Sequence, residues 1–394
     1  MPRPLRVLQL IDSLARAGAE QSLATLAPQL VAEGIDLHVA YLIERDGLRG
    51  DIERSGVPVV SLAGGGARRR DWLVRASDLI GDLQPDVVHT SLFEADLAGR
   101  RAAARRGVPT VSSFVNTVYG RLEADRDRVG RVKLRAAQAA DALTARRVAR
   151  FHAVTRHVAT VMSRRLLIPP AKIEVIPRGR DAAVLGRRSP GRTADVRQRL
   201  GVPSDAPLVV AVGRQEPQKG LDVLVRSVPA VQARFPDVRV LVAGREGRAT
   251  PALCQLAGSS GLGDAVTFLG MRDDVPDLLA AADVFVFPSL WEGAGGTLLE
   301  AMALECPIVA SRLPTLLETV DRSTAELVAP GKADDVARGL VATLSDRPAA
   351  AARAQTARAR FEQQFTIQAC AQRMARLYAR VAGSPATTSM EGAR

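Results

Sequence analysis

Residues 288–303 read PSLWEGAGGTLLEAMA, and this stretch decides how the chain is interpreted. It follows the apolar run Val284–Pro288, which predicts a buried strand, and it continues into an apolar helix-forming sequence. The small residues Gly293–Gly296 argue against one continuous helix, because glycine is a poor helix former. Glu292 is therefore expected on a loop and Glu300 inside the helix that follows, in a strand–loop–helix unit.

The two carboxylates of this unit indicate a class of ligand. A helix that begins near Thr297 points backbone N–H groups at whatever fills the preceding loop. Carboxylates such as Glu292 and Glu300 accept hydrogen bonds from hydroxyl groups, which suits a neutral, hydroxyl-rich ligand. A capping or structural role for Glu300 is the alternative.

The same alternation of apolar runs and helical patterns extends along the chain. Runs that predict buried strands in the first half are Arg6–Ile11, Leu37–Ile43, Val57–Leu62, Asp86–Thr90, Thr110–Phe114 and Arg150–Thr155. Those in the second half are Leu208–Gly213, Val238–Gly244, Val266–Leu269, Val284–Pro288 and Ile308–Ser311. Strands separated by helical stretches indicate βαβ units and parallel sheets.

A break rich in Pro, Gly and Arg over 176–190 predicts a linker between two doubly wound α/β domains. The expected domains are residues 1–185 and 190–364, with a helix at 365–382 that packs back on the first and a frayed tail at 383–394. Ligands of such domains bind beyond the carboxyl ends of the strands, so the cleft between the two sheets is the expected site.

The composition excludes several other classes. The chain has 394 residues, 47% of them hydrophobic, which is enough for real cores and excludes global disorder. No apolar run is long enough to span a membrane, and Met1–Arg16 enters a strand without an apolar signal-peptide core. Cys254, Cys306 and Cys370 are isolated, so neither a disulfide framework nor a metal knuckle is expected, and the cytoplasm is the predicted location.

The basic excess belongs to the first half of the chain. Residues 1–190 contain 31 Lys and Arg against 20 Asp and Glu, whereas the remainder contains 23 against 22. Two interpretations stay open: a solvated basic helix face, or contact with an anionic lipid surface or a phosphorylated acceptor. Nucleic acid is not expected as a partner, because the basic region has few aromatic residues and no recognisable binding motif.

Two further strand-to-helix loops are suited to anions. The loop that leads to Gly18 and Ala19 opens a helix, although any such turn looks similar. In Gly213–Gly220, Arg214 and Lys219 lie five residues apart directly after a strand and can converge on a diphosphate. Two unrelated surface cations would give the same pattern.

Taken in order, these motifs resemble the family 4 retaining glycosyltransferases, which have the GT-B fold. Residues 288–311 resemble the E-x7-E signature, Gly213–Gly220 resembles the G-R-x4-K-G diphosphate loop, and Val7–Glu20 resembles the opening strand and Gly-Gly loop. The resemblance covers nearly the whole chain. It implies an N-terminal acceptor-side domain and a C-terminal domain that binds a nucleoside diphosphate sugar, both Rossmann-like and facing across a cleft.

The resemblance also implies roles for individual residues. Arg214 and Lys219 would neutralise the donor diphosphate without a metal or other cofactor, Glu292 would hold the transferred sugar, and Glu300 would hold the ribose hydroxyls. Arg214, Lys219 and Glu292 are thus the expected catalytic residues. Further donor contacts are expected at the backbone of Gly18, Ala19, Met271, Gly295, Gly296, Thr297 and Leu298.

Three positions depart from the family pattern. Ala17 stands in place of a glycine, Val115 in place of a catalytic-site histidine, and Arg178 in place of an Asn. Candidates on the acceptor side are therefore Asn116, which can donate or accept hydrogen bonds but is not a base, and His89 near the end of a strand. A buried histidine with satisfied hydrogen bonds is the equal alternative for His89.

The leading functional hypothesis is transfer of a sugar to a hydroxyl acceptor with retention, in the synthesis of a cell-envelope glycan or glycolipid. A glycan or lipid-linked acceptor and a peripheral position at an anionic membrane surface would fit the basic half. Transfer to a small soluble acceptor and a non-catalytic nucleotide-sugar-binding scaffold are the alternatives. A dinucleotide-dependent oxidoreductase is disfavoured, because no G-x-G-x-x-G follows any strand.

Overall fold

The computed structural model describes residues 3–64, 69–120 and 130–383. These residues form two compact units. Unit 1 contains the described residues up to 179 together with 367–383, and unit 2 contains residues 180–366. The expected tail beyond 383 lies outside the described residues, as do the first residues of the helical stretch that the Arg- and Ala-rich sequence of 125–150 predicts.

Unit 1 is a parallel sheet covered by helices, with seven strands in the described residues in the order β3-β2-β1-β4-β5-β6-β7. The strands are β1 (Leu5–Ile11), β2 (Ile35–Tyr41), β3 (Val59–Ser61), β4 (Val87–Ser91), β5 (Thr110–Phe114), β6 (Arg150–Ala153) and β7 (Ile173–Val175). The helices are α1 (Gly18–Ala32), α2 (Arg49–Glu53), α3 (Arg69–Leu83), α4 (Phe93–Arg105), α5 (Arg131–Ala145), α6 (Arg156–Leu166) and, from the end of the chain, α15 (Ile367–Ala382).

Unit 2 has the same construction, with a six-stranded parallel sheet in the order β10-β9-β8-β11-β12-β13 over the range 180–366. Its strands are β8 (Leu208–Val212), β9 (Arg239–Ala243), β10 (Val266–Gly270), β11 (Val284–Phe287), β12 (Ile308–Ser311) and β13 (Glu326–Val328). Its helices are α7 (Ala182–Leu185), α8 (Pro190–Arg199), α9 (Leu221–Gln232), α10 (Thr250–Ser259), α11 (Val275–Ala281), α12 (Gly296–Ala303), α13 (Ala333–Ser345) and α14 (Arg347–Gln364).

The central strands are buried on both faces, which explains their continuous apolar sequences. In β8, Leu208 and Val210 belong to one apolar cluster of unit 2, whereas Val209 and Ala211 belong to another. Alternate residues of a strand point to opposite faces, so the two clusters are the two layers of helix packed on the sheet. The alternation of strands and helices predicted a doubly wound α/β fold, and the structure confirms it.

Elements with weak patterns were not predicted. The short helix α7 lies within the predicted linker at 176–190, and β7, β13 and α8 lie in stretches to which the sequence assigns no element. The hydroxyl of Ser189 caps α8 by accepting a hydrogen bond from the N–H of Arg192 (3.2 Å). Unit 2 begins at Arg180, whose N–H donates to the carbonyl of Phe365 (3.0 Å) in the same unit.

The C-terminal helix α15 belongs to unit 1, where it packs beside α1. Its apolar face is buried in the same cluster as β1 and β2. Within the described ranges, no helix combines the length and the apolar character needed to cross a bilayer.

Candidate functional site

The candidate site of unit 2 lies where the strand order reverses. The chain builds the sheet outward from β8 to β9 and β10, then returns to place β11 on the other side of β8. Ligands of doubly wound folds bind outside the carboxyl ends of the strands at such a switch point. The loops that leave these two strands are residues 213–220 and 288–295, the two segments that carry the sequence motifs.

The two loops are packed tightly against each other. Gly220 has a φ of +60°, and a Cβ at this position would collide with the carbonyl oxygen of Pro288, so the close approach requires glycine. The N–H of Leu290 donates to the carbonyl of Gln218 (2.8 Å), and the Gln218 amide donates to the carbonyl of Trp291 (2.9 Å). These bonds fix one motif relative to the other.

Lys219 and Glu292 meet at this junction. The Lys219 Nζ lies 2.5 Å from Glu292 Oε1, and the Ser289 hydroxyl donates to the same oxygen (2.9 Å). The Lys219 ammonium also lies 5.2 Å from the ring centroid of Phe287, within cation–π range. The side chains of Lys219 and Glu292 are only 17% and 8% exposed, so their charges interact in partial shelter from water.

Glu300 is paired with a second cation. It lies on the second turn of α12, and its Oε1 accepts a hydrogen bond from Arg180 Nε at 2.7 Å. The guanidinium of Arg180 also lies against the start of α12, where a Cβ on Gly296 would collide with Nη2. Glu300 therefore makes an ion pair rather than a helix cap.

The start of α12 presents backbone donors. Gly295 is the residue before the helix and has a φ of +65°. The N–H of Leu298 already donates to the carbonyl of Gly295 (3.0 Å). The N–H groups of Gly296 and Thr297 precede any intrahelical acceptor and so remain suited to anion contact.

Two other residues that are predicted to bind the sugar donor, Arg214 and Met271, are exposed. The Arg214 side chain makes no hydrogen bond or ion pair with the residues that the structure describes. Met271 is 54% exposed just after β10, the edge strand, with β9 between it and β8. The structure thus brings Lys219 and Glu292 together, whereas Met271 follows a strand two positions from β8 in the sheet.

Unit 1 has its own switch point, between β1 and β4. The loop after β1 leads to Gly18 and Ala19 at the start of α1, and Arg178 Nη1 donates to the carbonyl of Gly18 (3.0 Å). Asp12, on the same loop, accepts a hydrogen bond from the N–H of Ala95 (2.8 Å). Burial raises the pKa of Asp12 to about 7, and the Ala95 N–H only partly opposes this shift.

His89 belongs to a buried chain of hydrogen bonds that runs across the sheet. Tyr378 Oη lies 2.7 Å from His89 Nδ1, and His89 Nε2 lies 2.7 Å from Ser113 Oγ. Ser113 Oγ lies 2.8 Å from His152 Nδ1, and His152 Nε2 lies 2.8 Å from the carbonyl of Ile176. Because a carbonyl only accepts, His152 Nε2 donates to Ile176, and His152 Nδ1 accepts from the Ser113 hydroxyl. The Ser113 oxygen then accepts from His89 Nε2, and His89 Nδ1 accepts from the Tyr378 hydroxyl. The chain starts at the Tyr378 hydroxyl and ends at Ile176.

Burial disfavours the charged form of both histidines. Burial lowers the pKa of His89 to about 3 and that of His152 to about 4. Both ring nitrogens of His89 are bonded to other side chains of the protein, so in this conformation neither is available to a substrate. In the structure His89 is buried with both ring nitrogens hydrogen-bonded, and it also lines the pocket described next; its role on the acceptor side stays a prediction.

A pocket of about 70 Å³ lies beside this series of hydrogen bonds, inside unit 1. Val115, at the position of the family's histidine, lines it, together with the aliphatic side chains Ile11, Leu23 and Met374. Asn116 is not among its lining residues, and its Oδ1 accepts a hydrogen bond from the N–H of Thr117 (2.8 Å).

Several residues of these networks were missed by the sequence analysis. Ser289 lies three residues before Glu292, so a search for hydroxyls near the motif would have found it. Arg180 and Tyr378 carry no local signal, because their partners are 120 and 289 positions away in the sequence. No cluster of His, Cys, Asp or Glu suited to a metal ion occurs in the described part of the chain.

Two family models match the chain, one in each half. A model described as "Glycosyltransferase Family 4" matches residues 16–184, and one described as "Glycosyl transferases group 1" matches residues 206–346.

Curated relatives include the 2-deoxystreptamine N-acetyl-D-glucosaminyltransferase of Streptomyces fradiae, which is 30% identical over 86% of this chain and 80% of its own length. The lipopolysaccharide core biosynthesis mannosyltransferase LpsB of Rhizobium meliloti is 34% identical over 47% of this chain and 54% of its own length. A GDP-mannose-dependent alpha-(1-6)-phosphatidylinositol monomannoside mannosyltransferase of Mycobacterium tuberculosis is 34% identical over 47% of this chain and 50% of its own length. The chain thus spans about half the length of several relatives that it matches.

Solved structures share the fold. Anabaena HepE, determined in complex with UDP and glucose, superposes with a TM-score of 0.82 at 22% identity, covering 95% of this chain and 100% of that one. WaaG, a glycosyltransferase involved in lipopolysaccharide biosynthesis, superposes with a TM-score of 0.73 at 16% identity, covering 96% of this chain and 100% of that one.

Proposed function

This chain belongs to glycosyltransferase family 4 and has the GT-B fold, and from that premise we propose that it transfers a sugar from a nucleoside diphosphate sugar to a hydroxyl acceptor. The observation that carries the proposal is the junction of the two motif loops, where Lys219 Nζ and Glu292 Oε1 are 2.5 Å apart beside the start of α12. A cation, a carboxylate and free backbone donors are thereby held at one switch point.

Each group in this arrangement has a place in the reaction. Lys219 has three N–H donors, so it can keep Glu292 and still reach a phosphate oxygen of the donor. With Arg214 it would stabilise the charge that develops on the leaving diphosphate, and two cations can do this without a metal ion. Glu292 would accept hydrogen bonds from the transferred sugar, and Glu300 from the ribose.

We further propose that the configuration at the anomeric carbon is retained. The residues at the junction position and stabilise, and none of them is assigned as a covalent nucleophile. The acceptor would attack from the face that the diphosphate leaves, and the departing diphosphate would take up the acceptor's proton. Carbon–oxygen bond formation to the acceptor then accompanies carbon–oxygen bond cleavage to the diphosphate.

For the acceptor we propose a cell-envelope glycan or a lipid-linked saccharide at the cytoplasmic face of the membrane. The names of LpsB and of the mycobacterial mannosyltransferase place those relatives in lipopolysaccharide and phosphatidylinositol mannoside synthesis. A small soluble acceptor is the second candidate. It is favoured by the name of the Streptomyces fradiae relative, which specifies 2-deoxystreptamine.

Helix α5 of unit 1 supports contact with a membrane surface. Val132 and Leu143 are 82% and 65% exposed, and with Ala136 and Ala139 they follow the spacing of one helix face. The exposed cations Arg131, Lys133, Arg135, Arg146 and Arg147 lie on the same helix or just after it. Apolar side chains between cations are typical of a helix that lies in the interface of an anionic bilayer.

The surface of α5 can be tested with lipid vesicles. We expect the protein to bind vesicles of phosphatidylcholine with phosphatidylglycerol at low salt and to dissociate at about 0.5 M salt, because salt screens the cations. The double substitution Val132→Ser with Leu143→Ser should weaken binding by about tenfold or more, since each side chain loses apolar burial. Val184→Ser in unit 2, where the valine is 79% exposed, is the matched control and should bind normally. Equal binding by all three proteins would contradict this role for α5.

The donor site is tested by thermal stabilisation of the purified protein. UDP-, GDP-, ADP- and TDP-sugars and the free diphosphates are added without metal, and one base is expected to raise the melting temperature selectively through binding to the native state. A ligand at a hundredfold excess over its dissociation constant stabilises by about 2.7 kcal/mol. No shift with any nucleotide would contradict a working donor site in this chain, and a shift without turnover would favour the non-catalytic nucleotide-sugar-binding scaffold.

A further inference from the structure

Arg180 is held at two points of α12, in the middle of the proposed donor site. Its Nε donates to Glu300 Oε1 at 2.7 Å, and its Nη2 lies over the Cα of Gly296. Its backbone N–H is bonded to Phe365, so the main chain is fixed as well. The side chain is 12% exposed, which is low for an arginine and shows that its position is defined by packing.

The Arg180 guanidinium lies at an electrostatically unfavourable position, which requires an explanation. The N-terminal end of a helix carries partial positive charge, so a guanidinium beside it is unfavourable unless an anion compensates. Glu300 supplies that anion from the next turn of the same helix. Gly296 leaves the space that the guanidinium fills, and any larger residue there would displace it.

The pairing leaves one oxygen of Glu300 for a ligand. Arg180 bonds to Oε1, and among the residues that the structure describes no hydrogen bond reaches Oε2. A carboxylate whose orientation is fixed through one oxygen presents the other in a single direction, and that oxygen can accept two hydroxyl donors. The neighbouring hydroxyls of a ribose are such donors.

We propose that Arg180 is a positioning residue that orients Glu300 for the ribose diol of the donor, so that it sets the preference for ribonucleotides over deoxyribonucleotides. This inference rests on the proposed function. Arginine suits the role better than lysine, because its planar fork can bond to Glu300 and pack on Gly296 at the same time.

The test compares diphosphates that differ by one hydroxyl. Binding of UDP, GDP and ADP, and of their 2′-deoxy forms, is measured calorimetrically for the wild type, Arg180→Ala and Arg180→Lys. The wild type should prefer the ribose form of the nucleotide that it binds. Arg180→Ala should lose about tenfold or more of its affinity for that form and less for the deoxy form, which keeps only the 3′-hydroxyl, so that the ratio falls towards one. Arg180→Lys should recover part of the ratio.

Arg192→Ala is the matched control. Arg192 forms a similar ion pair with Asp277 in unit 2 (2.8 Å), with side chains 23% and 27% exposed, away from the two motif loops. It should keep the wild-type ratio, and the melting temperature of each variant reports whether it is folded.

Three results would overturn the inference. An unchanged ratio and affinity in Arg180→Ala would show that Arg180 does not orient Glu300. Equal losses for the ribose and deoxy forms would show that it acts on the phosphates or on the fold. If the wild type binds none of UDP, GDP, ADP and TDP, the proposed function fails and the inference fails with it, whereas the first two results leave the proposed function intact.

Discussion

Replacing Lys219 with alanine is expected to lower the turnover by on the order of 10²-fold or more, the loss typical when one preorganised donor to developing negative charge is removed. The physical reason is that the Lys219 ammonium is sheltered and fixed, so it stabilises the leaving diphosphate without reorganisation. The measurement is the rate at which the nucleoside diphosphate is released from the donor sugar identified by thermal stabilisation.

The Lys219–Glu292 pair allows a sharper version of this experiment. Lys219→Ala also leaves the Glu292 carboxylate, 8% exposed, without its cation, and this alone could disturb the site. The double variant Lys219→Ala with Glu292→Gln removes that unpaired charge. If Lys219 acts on the diphosphate, the double variant stays at least as slow as Lys219→Ala. A double variant faster than Lys219→Ala would show that Lys219 serves mainly to neutralise Glu292.

Replacing Glu300 with glutamine is expected to weaken donor binding by about 10- to 100-fold while the fold is unchanged. A carboxylate accepts stronger hydrogen bonds from hydroxyls than a neutral amide does, and bonds to charged groups contribute about 1.5–3 kcal/mol. The dissociation constant of the nucleoside diphosphate is measured by calorimetry, and circular dichroism checks the fold.

Asp277→Asn is the control for Glu300→Gln, because Asp277 is the carboxylate of an arginine pair elsewhere in unit 2. It should bind the nucleotide as the wild type does. Wild-type affinity and turnover in Glu300→Gln would refute the ribose role. A drop in melting temperature without loss of affinity would instead indicate that the Glu300–Arg180 pair is structural.

Much of the fold can be predicted from local sequence patterns. The apolar runs around Leu208–Val212 and Val284–Phe287 could be recognised because strands buried on both faces are continuously apolar. The edge strand Glu326–Val328 and the helix Pro190–Arg199 could not, since three residues or a polar helix give little periodicity. The end of unit 1 at residue 179 follows from contacts between distant segments, such as the hydrogen bond from Arg180 to Phe365, which no local pattern reveals.

For the candidate site, too, the sequence predicts some features and the tertiary structure decides the others. Lys219, Glu292 and Glu300 could be named from the sequence, because each belongs to a motif in a loop or near the start of a helix, and the spacing of that motif is local. Their partners could not be named. Lys219 and Glu292 are 73 positions apart, and they meet only because β8 and β11 are neighbours in the sheet.

His89 shows most clearly what only the tertiary structure decided. The sequence left it as either an acceptor-side residue or a buried structural one. Strand order placed Ser113 on one side of the ring, and the packing of α15 brought Tyr378 to the other. The sequence by itself determined the family, the two α/β units and the residue types at the motif loops, because these depend on short-range patterns. Burial, ion-pair partners and protonation states depend on which distant segments pack together, so they were decided by the tertiary structure alone.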